Sequence, residues 1–295
     1  VPLVLEMFYK KINKNIDDTG KRAKFNFALK LSKFLLKFGI DVRKKLFKDI
    51  HNVFGGRLRT HIVGGASINP DILQFYRDIG IMALQGYGLT ESAPMGALSP
   101  DTKPINASCG QRLPNTTVKI FEPGEDGIGE IIIKGPSIMI GYYEDEAATK
   151  EAIVDGFYHT GDLGYIDENG YIYITGRKKN VIITKNGKNV FPEELESLLS
   201  NVDLIAESMV FEGETKAGED TLIVASIFPD AEVIEIVLGV DATKDDIEKA
   251  IWAEVDKINA KLPFFKKIKK LKIRDTEFEK NTSKKIKRFS EENRK

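Results

Sequence analysis

The 295-residue chain balances 44 Lys and Arg against 44 Asp and Glu, so it has no bulk charge with which to gather nucleic acid. One cysteine, Cys109, and three scattered histidines, His51, His61 and His159, exclude a disulfide framework and a Cys/His metal cluster. With 42% hydrophobic and 30% charged residues the composition is that of a soluble globular protein, and no apolar run approaches the roughly twenty residues that span a bilayer.

Val1-Pro2-Leu3-Val4-Leu5 runs straight into helical periodicity with no signal peptide. The expectation is a chain that begins inside a larger fold, in a reducing, cytoplasmic setting. Residues 3 to 54 read as helices. Phe27, Leu31, Phe34 and Phe38 share one helical face and Lys30, Lys33 and Lys37 another, which predicts an amphipathic helix laid over the core. The other use of such a basic amphipathic stretch is peripheral contact with a membrane surface. Beyond Arg59, His61-Ile62-Val63 and Ile81-Met82-Ala83-Leu84 are short apolar runs, and Asn69-Pro70-Asp71 starts a helix that stops at Gly80. Together they predict a β-α-β unit.

After Pro114 the pattern turns to strands, Val118-Lys119-Ile120-Phe121 and Glu130-Ile131-Ile132-Ile133, until Glu144. Asn169-Gly170, between two tyrosine-rich runs, is a strong hairpin signal. From Arg177 onward, helices over Glu193 to Leu199 and Lys244 to Leu262 alternate with strands over Leu222 to Phe228 and Ile268 to Ile273. The fold class is α/β plus α+β. Its parts are a large α/β region over 1–113, a small distorted β-barrel over 114–176 and a small α+β domain over 177–295.

Three stretches crowd small residues around polar ones. Gly64-Gly65-Ala66-Ser67 follows a strand and precedes a helix, where bare backbone can meet a flat or anionic ligand. Gly86-Tyr87-Gly88-Leu89-Thr90-Glu91-Ser92 joins an aromatic ring, a hydroxyl and a carboxylate, groups suited to stacking on a base, contacting phosphate and ligating magnesium. The plainer reading is a glycine turn capped by Thr90 and Glu91. Asp162 lies in Thr160-Gly161-Asp162-Leu163-Gly164, and a carboxylate can accept hydrogen bonds from both hydroxyls of a ribose. If Asn169 and Gly170 are the two turn residues, continued pairing sets Asp162 opposite Arg177, either as a ligand site or as a surface ion pair.

These motifs, followed by Gly176-Arg177-Lys178-Lys179-Asn180 and Lys285-Ile286-Lys287-Arg288, occur in an order that resembles the adenylate-forming superfamily. That family includes acyl-CoA synthetases, firefly-type luciferases and peptide-synthetase adenylation domains. The resemblance implies an adenine held between the Gly65-Ala66 backbone and Tyr87, with Gly86, Gly88 and Ile174 also at the nucleotide. It implies Thr90 near the phosphates, Glu91 on Mg²⁺, and Asp162 and Arg177 at the ribose. By the same resemblance Lys179 is the hinge to a mobile C-terminal domain, and Gly187 lines the path of CoA. Lys285 matches the lysine that contacts the carboxylate and α-phosphate. The common Pro-x-x-x-Gly-Lys form is replaced here by Asn281-Thr282-Ser283-Lys284-Lys285, so Lys284 stays a second candidate.

Such an enzyme uses ATP, Mg²⁺ and CoA. The run from Gly176 to Glu196 most resembles bacterial long-chain fatty acyl-CoA ligases, with fatty acid and CoA as substrates and no nucleic-acid partner. The family's Thr-Ser-Gly-Thr-Thr-Gly type phosphate loop has no counterpart before Gly64, so the chain alone is expected to be inactive. The alternatives are an acyl-acyl-carrier-protein synthetase and a non-catalytic nucleotide-binding remnant.

Overall fold

A computed structural model describes residues 2–66, 68–215, 220–282 and 284–294. Val1, Ser67 and Ser283, quoted in the motifs above, lie outside the described residues. The chain divides into two compact units, Val1–Ile174 and Thr175–Lys295.

The first unit opens with helices α1 (Pro2–Asp18), α2 (Arg22–Leu36), α3 (Arg43–Leu46) and α4 (Lys48–Val53). Strand β1 (Thr60–Val63), helix α5 (Pro70–Asp78) and strand β2 (Met82–Tyr87) follow, and β1 and β2 pair in parallel, so the β-α-β unit is present. Its helix begins as its residues dictate: the Asn69 side chain accepts the Asp71 N–H, and Pro70 occupies the first turn, where its missing donor costs nothing. Strands β3 (Ala97–Leu98) and β4 (Gln111–Arg112) extend the sheet antiparallel. The core beneath holds Val63, Leu73, Tyr76, Ile79 and Ile81, and the Tyr76 hydroxyl donates to the Leu5 carbonyl at 2.9 Å.

The face of α2 expected to cover that core does not. Phe27, Phe34 and, just past the helix end, Phe38 are 68, 56 and 67% exposed and Leu31 is half-buried, whereas Phe25, Ala28 and Leu29 pack inward and Ser32 is buried. Both stripes recur at helical spacing, so periodicity alone cannot choose between them. The stripe with Ala28 and Ser32 won, because small residues let the helix lie closer to its neighbours.

Next come β5 (Thr117–Phe121), β6 (Gly129–Lys134), α6 (Glu146–Ala152), β7 (Ile153–Val154), β8 (Phe157–Ile166) and β9 (Ile172–Arg177). The five strands form one curled sheet in the order β5-β6-β8-β7, with β9 also pairing β8. Ile131, Ile133 and Ile172 share a core with Tyr87, Ala97 and Cys109, so this sheet packs as one body with the end of β2.

The β8–β9 hairpin differs from the expected turn by one residue. Gly170 has φ 80, but Asn169 is not among the positive-φ residues, so the type I′ turn that would need both is not made. Instead Gly170 N–H bonds to Asp167 O and Asp167 N–H to Tyr171 O, a three-residue loop with Gly170 in the left-handed position. The Asp167 carboxylate holds it by accepting from Asn169 N–H and Tyr171 N–H at 2.9 and 2.8 Å. Tyr165 therefore stacks on Tyr173 at 4.7 Å, one position out of the anticipated register. The ground for setting Asp162 opposite Arg177 by strand pairing is removed.

The second unit carries β10 (Ile182–Ile183), β11 (Asn189–Val190), α7 (Pro192–Leu199), β12 (Ile205–Gly213), β13 (Leu222–Pro229), α8 (Ala231–Leu238), α9 (Lys244–Asn259), β14 (Lys270–Ile273) and α10 (Glu291–Arg294). Strand β13 pairs antiparallel with β12 and parallel with β14. Leu195 and Leu199 of α7 and Ile251 and Val255 of α9 pack with Val210, Ile223 and Ile227 of the sheet.

Candidate functional site

Gly64 follows β1 and Gly86-Tyr87 ends β2, so two of the glycine motifs meet at the carboxyl ends of neighbouring parallel strands. That edge is where open α/β sheets bind ligands. A Cβ on Gly64 would lie 2.8 Å from Gly86 O, and one on Gly88 would lie 1.8 Å from Pro94 O. The bare backbone at both positions is thus required by packing alone. Gly65 has open space around it but φ 88, which favours glycine for its conformation. Thr90, Glu91 and Ser92 form a 3₁₀ turn. Ser92, rather than Thr90 or Glu91, closes it: its hydroxyl accepts the Leu89 N–H and donates to the Leu89 carbonyl, both at 3.0 Å. Thr90 is left exposed and Glu91 half-buried.

Two residues to which sequence reasoning assigned no role attend Glu91. The Tyr142 hydroxyl donates to Glu91 Oε1 at 3.1 Å. Tyr158 is 5% exposed, and burial, a hydrogen bond with Tyr142 and the Glu91 charge drive its phenol above the usual range. Neither stands in a motif with Glu91, so only the fold could find them. Among the described residues no group of three or more His, Cys, Asp or Glu could hold a metal. One half-buried carboxylate beside the Thr90 hydroxyl nevertheless suits magnesium, which keeps several waters and takes phosphate oxygens from its substrate.

Asp162 is buried at 4% exposure and accepts a 2.6 Å hydrogen bond from the Tyr87 hydroxyl. Its loop is pinned locally. Gly161 takes φ 68 and gives its N–H to Glu130 Oε1 at 3.0 Å, while Thr160 Oγ1 donates to Ile131 O at 2.6 Å and accepts the Asp162 N–H at 3.0 Å. His159 Nδ1 sits 3.3 Å from the other Glu130 oxygen. Glu130, part of an apolar run in the sequence, is thus a buried support of the Asp162 loop. Burial pushes the Cys109 thiol up to about 12, with the Asp162 charge adding to it, so this corner of the unit is poorly solvated. The first unit therefore brings together Gly65, Ala66, Gly86, Tyr87, Gly88, Thr90, Glu91 and Asp162, and Ile174, 37% exposed, ends it.

Arg177, Lys179, Gly187 and Lys285 belong to the second unit. Lys179 lies in a 3₁₀ turn with its ammonium 5.7 Å from the Phe289 ring. Gly187, at φ 71, closes the β10–β11 turn by donating to Thr184 O at 2.8 Å. Lys285 is exposed on a hairpin loop in which Lys285 N–H bonds Asn281 Oδ1 and Asn281 N–H bonds Lys285 O, both at 2.9 Å. Lys284 has φ 62, a strained left-handed conformation, and closes the turn of that loop by donating its N–H to Asn281 O at 2.9 Å.

Close to that hairpin, desolvation outweighs the neighbouring Arg288 guanidinium and pushes Glu196 up to about 7. The sign follows from linkage: an acid whose folded pKa exceeds its unfolded value stabilises the fold at low pH, and that stability is lost as pH rises through the folded value. The second unit is therefore expected to lose stability between about pH 4.5 and pH 7. Glu196→Gln should flatten that slope in urea titrations run across the range; an unchanged slope rules out Glu196 as its source.

Residues 1–143 match the AMP-binding enzyme family, and residues 179–292 match the AMP-binding enzyme C-terminal domain. Long-chain-fatty-acid–CoA ligase FadD15 of Mycobacterium bovis is 31% identical over 304 residues, which cover 96% of this chain and 49% of that protein. Among solved structures, O-succinylbenzoate coenzyme A synthetase (MenE) of Bacillus subtilis in complex with AMP matches with TM-score 0.64 and 27% identity, over 78% of this chain and 45% of that one. ATP-bound MatB from Rhodopseudomonas palustris matches with TM-score 0.61 and 29% identity, over 77% and 43%. The chain spans about half the length of the curated relatives it matches. With both domains matched in order, the chain belongs to the adenylate-forming, AMP-binding enzyme family.

Proposed function

We propose that this chain carries the ribose-binding side and the adenylating lysine of a ligase that activates a long-chain fatty acid and transfers it to CoA. The observation that carries the reading is the buried Tyr87–Asp162 pair beside the carboxyl ends of β1 and β2. It sets an aromatic ring and a carboxylate where a nucleoside can meet both. The long-chain acid is taken from the relatives' activity. In the first half-reaction a carboxylate oxygen of the acid attacks the α-phosphate of ATP, the bond to pyrophosphate breaks, and acyl-AMP forms. In the second, the CoA thiolate attacks the acyl carbon and AMP leaves. Asp162 and Arg177 hold the ribose, the Gly65-Ala66 backbone and Tyr87 bracket the base, and Thr90 contacts phosphate. Lys285 stabilises the charge that gathers between the carboxylate and the α-phosphate. Glu91 would hold a magnesium ion, which would supply neutralisation of phosphate charge. Lys179 is the pivot and Gly187 lines the thiol's approach.

The 295-residue chain alone is expected to show no fatty-acid-dependent ATP–pyrophosphate exchange, since contacts to the β- and γ-phosphates fall to residues outside it. Joined to the upstream half that its relatives carry, it should show exchange. Exchange by the chain alone at the rate of a full-length relative refutes the proposed division of the phosphate site, and none in the joined protein refutes the ligase reading.

The exposed stripe on α2 favours peripheral membrane contact as well. Phe27 and Phe34 on the helix and Phe38 in the turn after it stand clear of the core, with Lys30 on the helix and Lys37 at its C-cap, a pairing of aromatic insertion with attraction to anionic headgroups. The chain should co-sediment with vesicles containing phosphatidylserine and do so less well after Phe27→Ser, Phe34→Ser and Phe38→Ser together. Equal sedimentation of parent and triple variant removes this reading.

A further inference from the structure

The hairpin that carries Lys285 is anchored to the rest of the second unit by Lys280, which bridges Ile286 across the hairpin and pairs with Glu207 of β12, and by a compact polar cluster around Arg288. Arg288, three residues after Lys285, donates one guanidinium nitrogen to the Val210 carbonyl at 3.2 Å and another to Glu196 of α7. Glu196 in turn accepts the Val210 N–H at 2.6 Å, so strand β12, helix α7 and the lysine segment close on one another. All three groups are largely shielded: the Arg288 and Glu196 side chains are 19 and 18% exposed and Val210 is buried. The same guanidinium lies 3.7 Å from Glu193, which accepts a hydrogen bond from Asn180 at 2.5 Å, one residue past Lys179. Lys179 itself sits over Phe289, the neighbour of Arg288.

We infer that Glu196 and Arg288 are positioning residues for Lys285, and that the anchor they make with Val210 also ties the lysine hairpin to the turn containing Lys179. The inference rests on the roles proposed above for Lys285 and Lys179. A long lysine on an exposed loop reaches a defined point only if its backbone is fixed. The hydrogen bonds within the loop fix its local shape, but the exposed ion pairs beside it, such as Lys287 with Glu279, supply little hold against water. The Lys280–Glu207 pair is as shielded as the Arg288 cluster, at 22 and 20% exposure, but it ties the hairpin to β12 alone, whereas the Arg288 fork engages two elements at once. Lysine at position 288 could answer Glu196 but could not reproduce the fork.

The test is amide hydrogen exchange on the whole 295-residue chain without substrate, resolved for Asn281, Lys284, Lys285 and Lys287 and for the β12–β13 ladder. Arg288→Met should speed exchange in the hairpin roughly ten- to hundredfold, the range of a lost charge-assisted bond, and leave the ladder amides unchanged. Arg288→Lys should recover part of the protection. Glu196→Gln, which keeps an acceptor for Val210, provides a milder variant should Arg288→Met fail to fold, and it should loosen the same amides. Equal acceleration in hairpin and ladder marks the pair as a general strut and overturns the inference, as does no acceleration, or no recovery with lysine. Because no substrate is present, these outcomes do not depend on what Lys285 does chemically; a failure of the catalytic reading would appear instead in the half-reactions of Lys285→Ala.

Discussion

Replacing Lys285 by alanine, in the chain joined to the upstream half of a relative, is expected to abolish acyl-AMP formation while sparing transfer from supplied acyl-AMP to CoA. The asymmetry follows from where charge develops. Attack of one anion on another gathers negative charge between the carboxylate and the α-phosphate, and an ammonium placed there acts only while that charge exists. In the second half-reaction the leaving group is AMP and the nucleophile a thiolate, so a group devoted to the first step has no duty. A loss of the order seen when a preorganised donor is removed, about a hundred- to thousandfold, is expected in the adenylation rate. Lys179→Pro should show the opposite pattern. Proline fixes φ near the value of a 3₁₀ turn, so the turn over Lys178–Asn180 can form, but the rotation a pivot needs is blocked. Adenylation should persist and thioester formation fall. The two half-reactions are assayed apart, with ATP and fatty acid for the first and synthetic acyl-AMP with CoA for the second. Should either variant lose both steps equally while remaining folded, the division of labour is untenable.

Much of the scaffold was legible because local chemistry and fold agreed. Asn69-Pro70 starts α5 by the cap its side chain makes, and the apolar runs around it become parallel strands. The failures share a cause. The aromatic stripe of α2 and the hairpin register each depended on a choice between two locally equal solutions, settled by packing in one case and by the φ of Asn169 in the other. The supports of the site were illegible for a different reason. Tyr142 reaches Glu91 across 51 positions, Glu130 reaches Gly161 across 31, and Arg288 reaches Glu196 across 92. Tyr142 and Glu130 stand in no motif, and nothing in the Lys285–Arg288 motif points to Glu196. Only a folded chain distinguishes them from a surface tyrosine, a strand glutamate or one arginine in a basic tail.

Asp162→Ala is expected to weaken both the first unit and its use of nucleotide, and two measurements separate the effects. In the folded chain the Asp162 carboxylate answers the Tyr87 hydroxyl at 2.6 Å in surroundings from which water is largely excluded. Alanine would leave that hydroxyl buried without its acceptor, a cost of about 1–3 kcal/mol. Tyr87→Phe on its own takes this donor from the carboxylate instead, and the double variant removes both partners of the contact. The double variant should therefore be more stable than the sum of the single losses predicts, a non-additivity read from urea midpoints. That coupling tests the contact but not the ligand. For the ligand, the protein joined to the upstream half of a relative is offered ATP and 2′-deoxy-ATP. A carboxylate that accepts from both ribose hydroxyls must prefer ATP, and with alanine the preference should collapse, along with a fall of a few kcal/mol in apparent affinity. Asp162→Asn retains the shape of the side chain but not the charge, so it should keep most of the stability and lose most of the discrimination. If parent and both variants distinguish the two nucleotides equally well, Asp162 supports Tyr87 and nothing more, and the ribose is bound elsewhere.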